Sequence, residues 1–106
     1  MTLQRSFLVI AALAAGLAVC APARADLQLA TAKNCMACHA VGKKLVGPAY
    51  KDIAAKYAGQ TDAVARLEAK IMKGGGGVWG PVPMPANAQV TPAEAKQLVA
   101  WVLTQK

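Results

Sequence analysis

Apolar side chains recur at helical spacing in two segments near the middle of the chain. The stripe in residues 49–57 has the spacing i, i+3, i+4 and i+7, and it consists of Tyr50, Ile53, Ala54 and Tyr57. The second stripe consists of Val64, Leu67 and Ile71. Thr61 is the predicted N-cap of this second helix, and Gly74 is the glycine that ends it. No segment alternates as a half-buried strand does, so the pattern predicts an all-α chain.

Two further helices are predicted at the ends of the exported part of the chain. The first runs from Leu27 to about Cys38, where it ends in a cysteine motif. The last begins at the capping box Thr91-Pro92-Ala93-Glu94, which has proline at the first helical position, and runs to about Thr104. Residues 74–90 contain five glycines and three prolines and are predicted to form a long loop. Loops of that length in a compact domain usually carry function.

The N-terminal residues have the features of a signal peptide. Arg5 precedes an uninterrupted apolar run of 13 residues, 7–19, and Ala23-Arg24-Ala25 supplies a small-x-small cleavage pattern. The run is shorter than the roughly 20 residues that a membrane-spanning helix needs, which disfavours an uncleaved anchor. Lipidation at Cys20 is the other alternative, and Val19 fits it poorly. We therefore expect residues 1–25 to be removed, residues 26–106 to form the domain, and no stable membrane insertion afterwards.

Cleavage changes how the composition is interpreted. Because the leader takes away two arginines and no acidic residue, the formal charge falls from +7 to +5. The remaining 81 residues contain no phenylalanine, since Phe7 lies in the leader. A domain of this size buries only about 60–65% of its unfolded surface and usually needs a staple or a bound group. The dispersed charge and the predicted export both argue against nucleic-acid binding.

The motif Cys35-Met36-Ala37-Cys38-His39 is the densest chemistry in the chain. A thioredoxin-like dithiol switch requires a βαβ unit, and no strand is predicted. A structural zinc site requires four ligands, and the mature chain offers two cysteines and one histidine. A local disulfide leaves the histidine and the thin core unexplained. The CxxCH spacing is that of covalent haem attachment, in which two thiols add to the vinyl groups and the histidine binds iron.

A second axial ligand has to come from a residue other than histidine, because His39 is the only one in the chain. Methionine is the usual partner of histidine in electron carriers, and the candidates are Met36, Met72 and Met84. Met36 lies between the two attachment points and Met72 near the end of a helix, where packing is the simpler interpretation. Met84 lies in the segment GPVPMP, whose prolines stiffen the backbone. We favour Met84.

Four segments in this order make the sequence similar to the small bacterial class I cytochromes c of the cytochrome c-551 (cytochrome c8) group. They are CMACH, VGPAYKDIAAKYAG, GVWGPVPMPAN and the closing WVLTQK, and together they extend over the mature chain. The resemblance implies a fold of three to five short helices wrapped around one covalently attached haem c. It also implies a monomeric, non-enzymatic, periplasmic carrier of single electrons.

The resemblance also assigns roles to individual residues. It implies thioether links at Cys35 and Cys38 and iron ligation by His39 and Met84. The remaining roles concern the surroundings of these ligands: the carbonyl of Pro48 accepts from His39, Asn87 contacts the Met84 sulfur, and Trp79 and Lys70 contact haem propionates. The implied partners are nitrite reductase, a terminal oxidase or a quinol-oxidising membrane complex. Lysines near the motif, Lys33, Lys43 and Lys44, are candidates for steering an acidic partner.

A haem enzyme or gas sensor is the alternative function. In such a protein Met84 leaves the iron, and a small ligand enters a labile sixth site. Cytochromes c′ have that character, but they carry CxxCH near the C-terminus, whereas here the motif begins at the tenth residue of the predicted mature chain.

Overall fold

The computed structural model describes residues 15–16 and 22–106, and residues 22–106 form an all-helical domain. Its elements are α1 (Pro22–Ala32), a 3-10 helix (Cys35–Ala37), α2 (Tyr50–Tyr57), α3 (Ala63–Lys73) and α4 (Pro92–Val102). The described residues contain no strand, only isolated bridges between His39 and Lys44 and between Gly75 and Met84. The predicted all-α class is therefore confirmed.

The predicted continuous helix from Leu27 to about Cys38 is wrong. α1 ends at Ala32, and Asn34 adopts a left-handed conformation with φ 65°. Asparagine tolerates that conformation better than most residues, so it can end one helix and start the 3-10 turn of the cysteines. Because of this break, the cysteine motif that begins at Cys35 does not continue α1.

The predicted N-cap residue is wrong for α3, and the predicted capping box is confirmed for α4. α3 begins at Ala63, so the residue at its N-cap position is Asp62 and not the predicted Thr61, and no side chain caps it. At α4 the predicted capping box is confirmed: the backbone N–H of Glu94 donates to the Thr91 hydroxyl at 3.2 Å, and the Glu94 carboxylate accepts from the Thr91 N–H at 3.0 Å. α4 ends at Val102, two residues before the predicted end.

α4 is the central element of the core and contacts each of the other three α-helices. Trp101 is buried and meets the ring of Tyr50 edge-on, with centroids 5.3 Å apart. Ala30, which is fully buried, brings α1 against this core. Leu98, Val99 and Val102 of α4 are buried and also line a cleft, so the core and the cleft share one helix.

The predicted signal peptide, residues 1–25, lies outside the described residues except for 15–16 and the start of α1. Cys20 also lies outside them. The predicted cut after Ala25 falls within α1, four residues after it begins. In the described ranges, no helix combines the length and the apolar character needed to cross a membrane.

Candidate functional site

A largely apolar cleft brings together two parts of the chain that lie 45 positions apart. Its histidine side is formed by the residues that follow α1 and lead into α2, namely Cys35, Cys38, His39, Gly47, Pro48 and Tyr50. Its methionine side is the loop of residues 74–89, whose cleft-lining members include Trp79 and Met84. Apolar side chains of α3 and α4 line the rest.

His39 is 8% exposed, and three neighbours fix its ring. Nδ1 lies 2.8 Å from the carbonyl oxygen of Pro48, and since a carbonyl can only accept, Nδ1 carries the proton. In the neutral tautomer with the proton on Nδ1, Nε2 has a free lone pair for a metal. Tyr50 stacks on one face, with centroids 5.0 Å apart and planes inclined by 17°. Gly47 approaches so closely that a Cβ built on it would lie 2.6 Å from Cε1.

The two cysteines are free thiols, neither of them fully exposed, on the 3-10 turn before His39. The N–H groups of Cys38 and His39 both donate to the Cys35 carbonyl, at 3.2 and 3.0 Å, which holds the three side chains on one turn. Burial raises the pKa of the Cys35 thiol. A dithiol switch needs a lowered thiol pKa, so this environment disfavours that alternative.

Tyr50 connects the histidine side to the core. Burial raises the pKa of its phenol, and the nearby Cys35 and Cys38 add to that effect. The phenol therefore stays neutral at ordinary pH, and its ring packs between His39 and Trp101. The orientation of the histidine ring thus depends on the packing of α2 against α4.

Met84 is held by its backbone against the end of α3. Its N–H donates to the Gly75 carbonyl at 2.8 Å, and its carbonyl accepts from the Gly75 N–H at 2.9 Å. Gly74, at φ 72° and ψ −170°, has a conformation that essentially only glycine adopts. A Cβ at that position would lie 2.5 Å from the Met84 carbonyl oxygen. The methionine segment can lie against α3 only because residue 74 has no side chain.

Asn87 anchors the far end of the same loop through hydrogen bonds that were not predicted from the sequence. Its side-chain amide donates to the carbonyls of Ile71, at 3.0 Å, and Pro85, at 3.3 Å. Its backbone N–H also donates to Ile71, at 3.1 Å. Both amide hydrogens are therefore used, and the hydrogen bonds of residues 22–106 include none from Asn87 to the Met84 sulfur.

Trp79 and Lys70 both line the cleft, as their predicted role beside a bound group requires. Trp79 is 41% exposed, with the Lys56 ammonium 5.5 Å from the centre of its ring. The Lys70 ammonium lies close to Gly75, where a Cβ would be 2.7 Å from it. Met72 does not line the cleft and packs against the core, as its simpler interpretation holds.

Gly47 and Tyr50 belong to this site, although neither was predicted there from the sequence. Each has a signal that could have been used: Gly47 precedes Pro48 and Tyr50 follows it by two residues, so GPAY as a unit surrounds the histidine. Gly74 was identified as a helix end, and its second role beside Met84 was not. Across residues 22–106, no cluster of three histidine, cysteine or acidic side chains is arranged to hold a metal ion, so the zinc alternative gains no support.

The cytochrome c family model matches residues 27–106 of this chain. The chain is similar to cytochrome c-552 of Hydrogenobacter thermophilus, with 61% identity over 77% of this chain and 83% of the relative. It is 60% identical to cytochrome c-551 of Pseudomonas aeruginosa, over 70% of each chain. The crystal structure of Nitrosomonas europaea cytochrome c552 has a TM-score of 0.73 and 55% identity, covering 76% of this chain and 99% of that one.

The family model includes every residue that lines the cleft, and the class is that of small class I cytochromes c. The chain belongs to the cytochrome c family. It is a monohaem electron carrier with one covalently attached haem c. The residues present fit that group: two thiols and a histidine with a free Nε2 line an apolar cleft, and a thioether lies on the same cleft.

Proposed function

We propose that the chain is a periplasmic carrier of single electrons in which His39 and Met84 are the axial ligands of the haem iron. Cys35 and Cys38 would hold the ring through thioether bonds. The observation that carries this proposal is the cleft itself, which is lined by both cysteines, His39 and Met84.

The haem supplies one-electron oxidation and reduction. His39 presents Nε2, and the hydrogen bond from Nδ1 to Pro48 fixes the tautomer and increases the electron donation of the ring. Met84 presents a thioether, which stabilises the reduced state relative to a second histidine. Apolar side chains such as Leu98 and Val99 exclude water, which lowers the local dielectric constant.

Trp79 and Lys70 are the proposed contacts of the haem propionates. The indole N–H of Trp79 is a donor, and the Lys70 ammonium provides a point charge without the fork geometry of arginine. Asn87 contributes by fixing the loop that carries Met84, through its bonds to Ile71 and Pro85. This is a positioning role, and we propose it beside the contact with the Met84 sulfur that the resemblance implies.

The proposed partners are redox proteins such as a periplasmic nitrite reductase, a terminal oxidase or a quinol-oxidising membrane complex. Exposed basic side chains beside the cleft are suited to a transient contact with an acidic partner. The positive side chains of Lys43 and Lys44 lie next to Val46 in sequence and are exposed. Periplasmic location depends on removal of residues 1–25, which mass spectrometry of the exported protein tests.

Visible spectroscopy of the exported protein in both oxidation states tests the proposal against the enzyme or gas-sensor alternative. A carrier with both axial positions filled shows a methionine-to-iron charge-transfer band when oxidised and binds CO slowly when reduced. Absence of the band together with rapid CO binding would favour the alternative with a labile sixth site.

A further inference from the structure

Lys33 and Gln89 bond reciprocally across 56 positions of sequence. The side-chain amide of Gln89 donates to the Lys33 carbonyl at 3.0 Å, and the Lys33 ammonium donates to the Gln89 carbonyl at 3.0 Å. Lys33 lies between α1 and the cysteine motif, whereas Gln89 lies at the end of the methionine loop. The pair therefore joins the two sides of the cleft outside the cleft itself.

Gln89 makes one more contact, which connects it to the anchor of Met84. Its amide also donates to the side-chain oxygen of Asn87 at 3.2 Å. The Asn87 amide nitrogen already donates to Ile71 and Pro85, so the contact with Gln89 occupies its remaining polar atom. With that atom occupied, the Asn87 side chain has one orientation that satisfies all its partners.

We propose that Gln89 is a positioning residue that sets how readily Met84 leaves its place in the cleft. The Gln89 amide holds Asn87 in the orientation in which Asn87 bonds to Ile71 of α3. The same amide also attaches the loop to Lys33, which lies two residues before Cys35. This inference rests on the proposed ligation of the iron by Met84. Lys33 also forms an ion pair with Glu94 of α4 at 3.2 Å, which keeps Lys33 in place as the partner of Gln89.

The test compares Gln89→Ala with Gln97→Ala in the haem-loaded protein. Gln97 is a matched control, because it is also an exposed glutamine whose amide donates between elements, to Asp26 at 2.8 Å, away from the methionine loop. Two quantities are measured: exchange of the Met84 and Asn87 backbone N–H groups, and the rate at which imidazole displaces the methionine from the oxidised iron.

For Gln89→Ala we expect both rates to rise about fivefold, as the loss of a hydrogen bond of ordinary net strength implies. Gln97→Ala leaves both rates within about twofold of the parent, since its bond lies outside the loop. Gln89→Glu keeps the size of the side chain but has no amide hydrogens, so it behaves as the alanine variant does. A glutamate variant with parental rates, unchanged rates in Gln89→Ala, or equal rises in Gln89→Ala and Gln97→Ala would each overturn the proposal.

Failure of the proposed ligation would show separately, as a missing methionine-to-iron band in the parent protein. In that case the exchange of the Met84 and Asn87 N–H groups still decides whether Gln89 holds the loop. Both groups bond within the described structure, to Gly75 at 2.8 Å and Ile71 at 3.1 Å, so their exchange reports opening of those bonds.

Discussion

The two sides of the cleft hold their proposed ligands by different means. On the histidine side, a buried ring is fixed by a stacked tyrosine, a glycine backbone and the carbonyl of Pro48. On the methionine side, the loop is held by the reciprocal backbone hydrogen bonds of Gly75 and Met84 and by the bonds of Asn87 to Ile71. The first side is continuous with the helical core, and the second is attached to one end of α3.

This difference indicates which side opens first. A loop attached by a few hydrogen bonds opens with a smaller free energy than an element that packs in the core does. We therefore expect the methionine side to open locally while His39 stays in place. With the proposed ligation, His39 stays bound to the haem iron when the loop opens. The proposed sixth ligand, Met84, can then leave the iron while the haem remains attached.

Removing the Tyr50 ring should have the largest effect, because it breaks the histidine side where that side joins the core. Tyr50→Ala is expected to lower the free energy of unfolding by about 3–5 kcal/mol, as large aromatic truncations in cores do. Urea denaturation measures it. Tyr50→Phe is the control: it keeps the ring between His39 and Trp101, so the loss should stay below about 1 kcal/mol. Equal losses in the two variants would contradict the stacking role.

Gly74→Ala should come next, and it tests the methionine side. The side chain forces an unfavourable backbone conformation and collides with the Met84 carbonyl, so we expect a loss of about 2–4 kcal/mol and a weakened methionine-to-iron band. Gly59→Ala is the matched control, since Gly59 has φ 76° with open space around a Cβ and does not line the cleft. That variant should cost about 1–2 kcal/mol and keep the band. A band unaffected in Gly74→Ala would contradict the role of the close approach.

Gly47→Ala also tests the histidine side, with a smaller expected loss of stability than Tyr50→Ala. A Cβ 2.6 Å from the His39 ring must push the ring or the backbone aside, which is expected to cost about 1–3 kcal/mol, as overpacking does. Because Tyr50 holds the ring from another direction, we expect the histidine to remain bound and the methionine-to-iron band to persist. Gly42→Ala, in the same loop with nothing within 4 Å, should change stability by less than about 0.5 kcal/mol. Losing both ligands in Gly47→Ala would show that the histidine side is not the firmer one.

The smallest expected effect on stability is that of replacing Glu94. Its carboxylate forms an ion pair with Lys33, the residue that joins the two sides of the cleft. The hydrogen bond from the Thr91 backbone and then the Lys33 ammonium lower the pKa of the Glu94 carboxyl from its usual value. A lowered folded-state pKa means that the carboxylate stabilises the fold above the unfolded pKa, and that this stabilisation is lost as pH falls through the folded value. The Tm of Glu94→Gln should therefore lie slightly below that of the parent at neutral pH and converge with it in acid. A Tm difference that grows on acidification would contradict this assignment.

The sequence predicted the elements of the fold better than the details that position the ligands. The stripe of α2 and the capping box at Thr91 depend on local spacing and local hydrogen bonds, so they were predicted correctly. In the predicted stripe of α3, by contrast, Val64 is exposed. The break at Asn34 was missed because an asparagine can adopt helical or left-handed conformations, and only the tertiary structure selects one.

In the candidate site as well, short local motifs were predicted and contacts between distant segments were not. CxxCH and the proline-flanked methionine could be identified because each is a short motif of fixed spacing. The approach of Gly47 to His39 and the bonds between Gln89 and Lys33 join segments whose proximity is set by packing. The bonds of Asn87 to Ile71 and Pro85 also depend on packing, since they require a helix end with free carbonyls beside the loop.

The central claim is that Met84 on the loop, opposite His39, is the sixth ligand. The most direct measurement is the methionine-to-iron charge-transfer band of the oxidised protein in Met84→Ala and in Met72→Ala, the latter being a methionine that packs against the core outside the cleft. We predict that Met84→Ala loses the band, binds CO rapidly when reduced and has a lower reduction potential, while Met72→Ala keeps the band. A band that persists in Met84→Ala, or one that disappears in Met72→Ala, would contradict the account.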